Sequence, residues 1–322
     1  MTESDRFTVG GHTYLVKDTY PRHITIADSF IIRSNKIGTG NGEAKMYLGT
    51  KQKMMSFFGE DKLKAECFFL KEDLINFLDY AEKEYHDPMF KHQADKNELR
   101  DLWERRRKKV EDLDDVIFFT IVDKYDLNGN RGYVKSDDES FNIIREISLP
   151  LVSYLSIMSV TECLSGKDKL YWKIFVDFDY LENKADALVF NYGQAKVLNK
   201  KNRKGQSKYR RLLLKECPSC PITHISDEKL LIASHIKPHC VSSEIEKVDP
   251  KNGFTLSPLY DKLFNEGFIT FTNEKEMLVS KWLSLESQKL LKLNEIKYVD
   301  DLPLDAERIK YLEYHRKVVY KG

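Results

Sequence analysis

The chain has 322 residues, enough for one large domain or two ordinary ones. A hydrophobic content of 41% predicts packed cores rather than disorder, and the net charge of +1 does not identify a partner. No apolar run reaches the roughly 18 to 20 residues of a membrane helix, and the first residues lack the pattern of a signal peptide. The five cysteines have no framework spacing, which favours a reducing, cytoplasmic location without membrane contact.

Residues 1–195 combine strand and helix patterns, which predicts a mixed α+β region. An amphipathic helix is favoured within 63–85, where Leu74, Phe77, Leu78 and Ala81 recur at helical spacing. A strongly charged helix is predicted over 96–113. Strands are predicted at 12–16, 23–27, 44–49, 116–125, 171–181 and 187–193, several of them rich in aromatic residues. No internal domain boundary is apparent in this region.

Two polar stretches of this region are candidate DNA contacts. The cationic run 105–109 could bind phosphate, although such a run is more often a solvated helix face. The segment 38–48, GTGNGEAKMYL, with the preceding Arg33, Asn35 and Lys36, could form a loop that reaches base edges, because Arg and Asn commonly read guanine and adenine. An ordinary surface loop is the alternative interpretation.

The composition changes at about residue 196. The segment 196–215, KVLNKKNRKGQSKYRRLLLK, holds nine Lys or Arg residues and no acid. Such a density predicts contact with nucleic-acid phosphates, and a solubilising linker is the alternative. The candidate contacts are Lys204, Lys208, Arg210 and Arg211, together with Lys237 further along the chain.

A strand, loop, strand and helix are predicted between residues 230 and 267. The apolar run before His235 reads as a strand, and Asn252 precedes a glycine at a turn before a second short strand. A helix should begin at Pro258 after an N-cap Ser257 and end before Gly267.

On that helix, Asp261 and Asn265 are four residues apart and share a face that could hold a hard cation. Leu259 and Leu263 would form a second face directed into the core. His235, at the end of the first strand, could lie across from the two oxygen donors. A neutral imidazole there is suited to accept a proton from water.

Five motifs in order resemble the HNH endonucleases, in the branch found in restriction enzymes: GQ-x-x-[YF]-R, C-x-I-T, ASHIKP, DPxNG-x-x-LS and D-x-LF-x-x-G. The resemblance covers about residues 203–271 and implies a ββα-metal, or His-Me finger, fold. It implies that His235 is the general base and that Asn252 holds the loop between the strands. It also implies that Asp261 is a metal ligand, with Asn265 as a further ligand or supporting residue. Ser234 stands where many relatives have an Asp or His ligand, and a serine hydroxyl is a poorer one.

Cys217 and Cys220 have the spacing of half a zinc site, which His224 and Cys240 could complete. No second cysteine pair follows near 256–260, so two small buried thiols are the favoured interpretation and a structural Zn²⁺ is not expected. His239 is interpreted as a packing residue or a DNA contact.

The sequence therefore predicts a DNA-recognition region over 1–195, an HNH nuclease domain over 196–285 and a helical extension over 286–322. The expected function is that of a type II restriction-like endonuclease that uses Mg²⁺, or Mn²⁺ in its place, on double-stranded DNA. A homodimer is expected because antiparallel strands present two equivalent phosphates, and a cognate methyltransferase is the expected partner. The alternative is a nucleic-acid-binding protein on a nuclease fold with weak or no cleavage.

Overall fold

The computed structural model describes residues 6–36, 44–59, 64–86, 99–125, 130–178, 180–181 and 207–322. The chain divides into two compact units, Met1–Asp177 and Phe178–Gly322. The boundary predicted at 195/196, the strand predicted at 187–193 and the candidate contact Lys204 lie outside the described residues. None of the helices in the described ranges combines the length and apolar character needed to cross a membrane.

The first unit is built on a mixed sheet. Its strands are β1 (Arg6–Val9), β2 (His12–Thr19), β3 (Ile24–Thr25), β4 (Met46–Thr50), β5 (Lys64–Leu70), β6 (Val116–Tyr125), β7 (Arg131–Lys135), β8 (Ser153–Glu162) and β9 (Asp168–Val176). Their order is β1-β2-β8-β9-β5-β6-β7-β4, and β3 pairs with β8. The neighbours β5 and β9 run parallel, whereas the other pairs are antiparallel.

In the described ranges of this unit, the sheet is accompanied by α1 (Lys51–Phe58), α2 (Lys71–Tyr85), α3 (Leu99–Glu111) and α4 (Glu139–Ile147). The core between sheet and helices contains Trp172, which is fully buried and makes edge contacts with Phe119 and Phe141. The buried face of α2 contains the four residues predicted from their spacing, Leu74, Phe77, Leu78 and Ala81. The start of the predicted helical stretch, however, is strand β5, whose consecutive residues 67–70 are all buried.

Several residues of the two candidate DNA-binding stretches of this unit have structural roles. Asn35 is fully buried, donates to the carbonyls of Glu146 and Ser148, and accepts from Arg106. Lys36 is only 2% exposed. The prediction that Asn35 and Lys36 reach base edges is therefore wrong, because their side chains face the interior; residues 37–43 lie outside the described ranges.

The cationic run on α3 is occupied in the same way. Arg106 is buried, Arg107 pairs with Asp79 and Glu111, and Lys109 pairs with Glu146 at 2.8 Å. These contacts favour a structural helix face over a phosphate contact at these three positions.

The second unit contains a two-stranded hairpin, a helix and a C-terminal segment that share one core. After a helix at 207–216, named α5 here, come β10 (Ile232–His235), β11 (Gly253–Leu256), α6 (Pro258–Asn265), β12 (Ile269–Phe271), β13 (Met277–Val279), α7 (Leu285–Leu290) and α8 (Ala306–Tyr314). A π-helical turn, His315–Val319, follows α8 directly. The buried cluster extends from Cys220 through Phe254 and Phe264 to Leu312, so residues beyond 286 complete this core.

The bounds of α6 follow from its sequence. Pro258 occupies the first turn, where a missing N–H costs no hydrogen bond, and Gly267 has a φ of 69° just after the helix. A side chain at Gly267 would also approach the Val319 carbonyl to 2.0 Å, so glycine is required there for space as well. The Ser257 hydroxyl makes no capping bond and instead accepts from the Cys220 thiol at 3.9 Å.

The predicted core face of α6 needs a correction. Leu263 is buried as expected, but Leu259 is 48% exposed. The buried positions are Tyr260, Leu263 and Phe264. The observed mixed α+β fold with a C-terminal ββα arrangement confirms the predicted fold class.

Candidate nuclease active site

The candidate site lies where β10 and α6 meet. Strands β10 and β11 pair antiparallel, with His235 opposite Gly253 and Ser234 opposite Phe254. Ser234 is buried, and its hydroxyl donates to the Asn265 side-chain oxygen at 3.2 Å. The Asn265 amide in turn donates to Asp261 Oδ1 at 2.9 Å. The structure thus joins three of the predicted residues into one hydrogen-bonded row beside His235.

His235 has a defined orientation and tautomer. Its Nε2 lies 3.1 Å from the Lys247 carbonyl oxygen, which can only accept, so Nε2 carries the proton and Nδ1 carries the lone pair. The Tyr209 ring stacks on the imidazole at 4.1 Å between centroids, and His239 meets it edge-on at 5.5 Å. Burial, aided by His239, lowers the pKa of His235 to about 4, so the ring is neutral at pH 7.

Asn252 organises the loop between the two strands. Its side chain is fully buried; Oδ1 accepts from the Lys237 N–H at 2.8 Å, and Nδ2 donates to the carbonyls of Lys237 and Glu246, each at 3.2 Å. A further contact reaches the Ser242 hydroxyl at 3.3 Å. Asn252 therefore ties the segment just after His235 to the segment that supplies the Lys247 carbonyl.

A small cavity adjoins this arrangement. Its volume is about 20 Å³, roughly the space that one water molecule needs. Its lining includes His235, Ile236, Pro238, Asn265 and His315. The candidate base His235 and the candidate metal ligand Asn265 of α6 thus line one water-sized space.

The oxygen donors suit a hard divalent cation more than a soft one. Asp261 supplies a carboxylate, Asn265 an amide oxygen and Ser234 a hydroxyl, all of them oxygen groups, and Mg²⁺ is commonly held by one or two carboxylates with substrate phosphates completing its shell. Only one of the three groups carries charge. In the described part of the chain, no group of three or more His, Cys, Asp or Glu side chains is arranged to hold a metal ion.

The predicted DNA contacts differ in their surroundings. Lys208 and Arg211 are exposed on α5. The Arg210 guanidinium is bonded to the carbonyls of Leu231 and Glu228, which anchors α5 to the start of β10. Lys237 forms a two-oxygen ion pair with Glu246 at 2.8 Å. Arg210 and Lys237 therefore already have structural roles within the fold.

Cys217 and Cys220 are buried thiols. Cys217 contacts the Ser219 carbonyl and Cys220 the Ser257 hydroxyl, while His224 pairs with Asp301 at 3.2 Å. These contacts account for the two thiols within the packing of the unit, whereas His224 forms its pair at the surface.

The HNH endonuclease family matches residues 220–272. The matched segment contains β10, the Asn252 loop, β11 and α6, so it coincides with the geometry just described and supports nuclease chemistry at this site. A comparison of the chain with curated proteins gave no match.

Residues outside the matched segment also shape the site. Tyr209 was part of the GQ-x-x-[YF]-R motif, but its stacking on His235 could not be read from that motif. His315 is buried between Thr270 and Phe264; its ring stacks on Phe264 at 3.9 Å, and burial lowers its pKa to about 3. Arg308 is buried beneath the Asn252 loop. No sequence pattern singled out His315 or Arg308.

Proposed function

We propose that this protein is a divalent-metal-dependent DNA endonuclease that hydrolyses phosphodiester bonds. The observation that carries the proposal is the pairing of an oriented, neutral imidazole with a row of oxygen donors. His235 has Nε2 bound to a carbonyl, and Ser234, Asn265 and Asp261 form the adjacent hydrogen-bonded row. The match of residues 220–272 to the HNH endonucleases supports the same chemistry.

His235 acts as the general base in this proposal. Because Nε2 donates to the Lys247 carbonyl, Nδ1 is the ring atom that accepts a proton from water. The water oxygen then bonds to phosphorus, the bond from phosphorus to the leaving sugar oxygen breaks, and that oxygen takes up a proton. A well-placed base of this kind contributes on the order of 10² to 10⁴ in rate. The anionic phosphodiester, bound nearby, favours the imidazolium that forms.

Asp261, Asn265 and Ser234 are the residues proposed to hold the metal ion, with Mg²⁺ as the expected ion and Mn²⁺ as a substitute. When bound, such an ion offsets the negative charge that develops on the phosphate and on the leaving oxygen. The single carboxylate leaves coordination positions for water and for phosphate oxygens. A serine hydroxyl as third ligand implies a weaker site than an Asp or His would form.

Lys208 and Arg211 are proposed to contact the DNA backbone, since both are exposed on α5.

The first unit is proposed to recognise DNA, and its edge pair β4–β7 supports this. Neither strand contains an acid, and Tyr47 and Tyr133 face each other across the pair at 5.4 Å. Arg22 lies over the Tyr47 ring at 5.1 Å and Lys45 over the Tyr133 ring at 4.8 Å. Cations packed on half-buried aromatic rings at a sheet edge suit a nucleic-acid surface.

The finer assignments also belong to this proposal: a type II restriction-like enzyme, a homodimer on double-stranded DNA, a cognate methyltransferase as partner and a cytoplasmic location. The resemblance of the motifs to restriction enzymes supports the first. The dimer is proposed because the described residues of each chain form one such site, whereas DNA has two antiparallel strands. Discrete fragments from plasmid DNA, and a dimer on DNA in sedimentation, are the expected results. A smear of fragments would instead indicate nonspecific cleavage.

The decisive experiment compares wild type with His235→Ala in plasmid cleavage with Mg²⁺, Mn²⁺ or EDTA, and measures DNA binding for both. We expect metal-dependent cleavage by wild type, a loss of at least 100-fold in the variant, and affinities that agree within about threefold. Tight binding without cleavage by wild type on any DNA, methylated or not, would favour the second candidate, a binding protein on a nuclease fold. The observation that favours this alternative is the serine at position 234, where many HNH endonucleases have an Asp or His ligand.

A further inference from the structure

Each residue of the loop Asp249–Gly253 contacts a side chain from outside the segment that matches the HNH family, in addition to the Asn252 bonds within that segment. Asp249 accepts from the Tyr311 hydroxyl (2.8 Å), and the carbonyls of Pro250 and Gly253 both accept from Arg308 (3.3 Å each). The Lys251 ammonium pairs with Glu216 (2.8 Å) and Asp305 (3.1 Å). The Asn252 carbonyl accepts from the Tyr209 hydroxyl (2.9 Å). Each of these outside partners lies on α5 or in the C-terminal segment around α8. The loop is therefore fixed both by residues that precede the matched segment in the sequence and by residues that follow it.

Arg308 is the centre of these contacts. It is 2% exposed, and its three guanidinium nitrogens each have a partner. Two of the bonds go to carboxylates, Asp305 at 2.6 Å and Glu216 at 2.8 Å, which balance its buried charge. The others reach two carbonyls of the loop. Only a planar fork of fixed donors can bind carboxylates and carbonyls in these directions at the same time, so lysine is not an equivalent residue here.

The loop transmits its position directly to His235. Gly253 is the cross-strand partner of His235, and the Ile236 N–H donates to the Asn252 carbonyl at 3.2 Å. That same carbonyl accepts from Tyr209, whose ring stacks on the imidazole. A shift of the Asn252–Gly253 backbone would thus move both the strand that bears the base and the ring that packs against it.

We propose that Arg308 is a positioning residue for His235, which acts by fixing the Asp249–Gly253 loop from the C-terminal segment. This inference rests on the proposed nuclease function only for its kinetic consequence, since the fixing of the loop by Arg308 is a structural statement. It makes the C-terminal segment a required part of the active site rather than an accessory extension. Arg308 touches neither the oxygen row nor the imidazole.

The test compares Arg308→Lys with Arg316→Lys in the full-length protein. Arg316 is a matched control because it lies in the same segment and also binds a backbone carbonyl, that of Phe271 at 2.9 Å, and a side-chain oxygen, that of Asn273 at 3.0 Å. For Arg308→Lys we expect kcat for plasmid cleavage to fall about 10- to 100-fold, with KM within about threefold of wild type, because misplacing a reacting group lowers rate more than affinity. For Arg316→Lys we expect both constants to stay within about threefold.

Amide hydrogen exchange gives a readout that does not depend on catalysis. Arg308→Lys should speed exchange of the Ile236 and Asn252 amides at least tenfold, whereas Arg316→Lys should leave both at the wild-type rate. If wild type does not cleave DNA, the proposed function fails, while this measurement still tests whether Arg308 fixes the loop. Unchanged exchange in Arg308→Lys, or equal kinetic losses in both variants, would overturn the proposal.

A milder variant covers the case in which Arg308→Lys does not fold. Tyr311→Phe removes only the hydroxyl that binds Asp249 and keeps the ring. We expect a several-fold lower kcat, an unchanged KM and faster exchange at Asn252. Wild-type kcat and exchange in Tyr311→Phe, together with an unfolded Arg308→Lys protein, would show that Arg308 serves stability alone.

Discussion

Replacing Asn252 by alanine should loosen the loop without unfolding the protein. The side chain is fully buried, and its removal leaves the Lys237 N–H without its 2.8 Å acceptor and takes one donor from each of two carbonyls. A buried donor that loses its partner costs about 1 to 3 kcal/mol. The Lys237 carbonyl still accepts from the Ser242 hydroxyl, so the carbonyls add less. We expect a total loss of about 2 to 4 kcal/mol, compared with about 5 to 15 kcal/mol for a typical domain.

The assay is urea denaturation of wild type and Asn252→Ala, followed by a probe in the second unit such as Trp282. The midpoint should fall at unchanged m-value, because native compactness is kept. DNA cleavage should fall at least tenfold, since the loop that orients His235 is no longer tied across its base. DNA affinity should stay within about threefold.

Asn252→Asp separates the acceptor from the donor contribution. The substitution keeps an oxygen for the Lys237 N–H but directs a carboxylate oxygen toward the two carbonyls that Nδ2 now binds. At pH 7 it should therefore be at least as destabilising as alanine. A loss below about 0.5 kcal/mol for either variant would refute the view that this amide holds the loop.

Three further outcomes are expected. Gly253→Ala should destabilise by about 1 to 3 kcal/mol, because a Cβ there lies 2.0 Å from the Tyr209 hydroxyl, and in a Tyr209→Phe background denaturation should show a smaller loss. Burial opposes ionisation of Glu266, but Lys321 and Lys262 hold the pKa of this carboxyl at about 2. The ionised carboxylate therefore stabilises the fold by up to about 3 kcal/mol above pH 4.5, and this contribution is lost as the pH falls toward 2. Glu266→Gln should flatten the pH dependence of the denaturation midpoint in that window. Ser234→Asp adds a second carboxylate and should lower the Mg²⁺ concentration for half-maximal cleavage about tenfold or more; no change would count against the proposed ligand set.

The local order of the nuclease unit could be predicted from sequence because its signals are short-range. Pro258 and Gly267 act through their own backbone preferences, and both mark the ends of α6 as expected. The strand ending at His235 is set by an apolar run and a following proline. The start of the stretch 63–85 was less predictable, since a short apolar run is compatible with either strand or helix, and pairing with β6 and β9 makes β5 a strand.

The roles of charged and polar side chains could not be predicted in the same way, because they depend on distant partners. Arg210 and Lys237 belong to a basic pattern, yet the first binds backbone carbonyls and the second binds Glu246. Asn35 reads as an exposed polar residue until Arg106, 71 positions away, is placed against it. Arg308 gives no sequence signal at all, since its partner on α5, Glu216, is 92 residues earlier in the chain.

The single carboxylate of the oxygen row has a consequence for how the proposed metal ion would be bound. With only Asp261 charged, the three side chains leave a Mg²⁺ ion with a net positive charge and with open coordination positions. A phosphodiester anion supplies both the missing charge and further oxygen ligands. Metal and DNA should therefore bind cooperatively, and linkage requires the effect to be mutual: DNA raises the affinity for Mg²⁺ by the same factor by which Mg²⁺ raises the affinity for DNA. In the proposed site, a serine at position 234 would couple occupancy by the metal ion to the presence of substrate, which a site with two or three charged ligands would not do to the same extent.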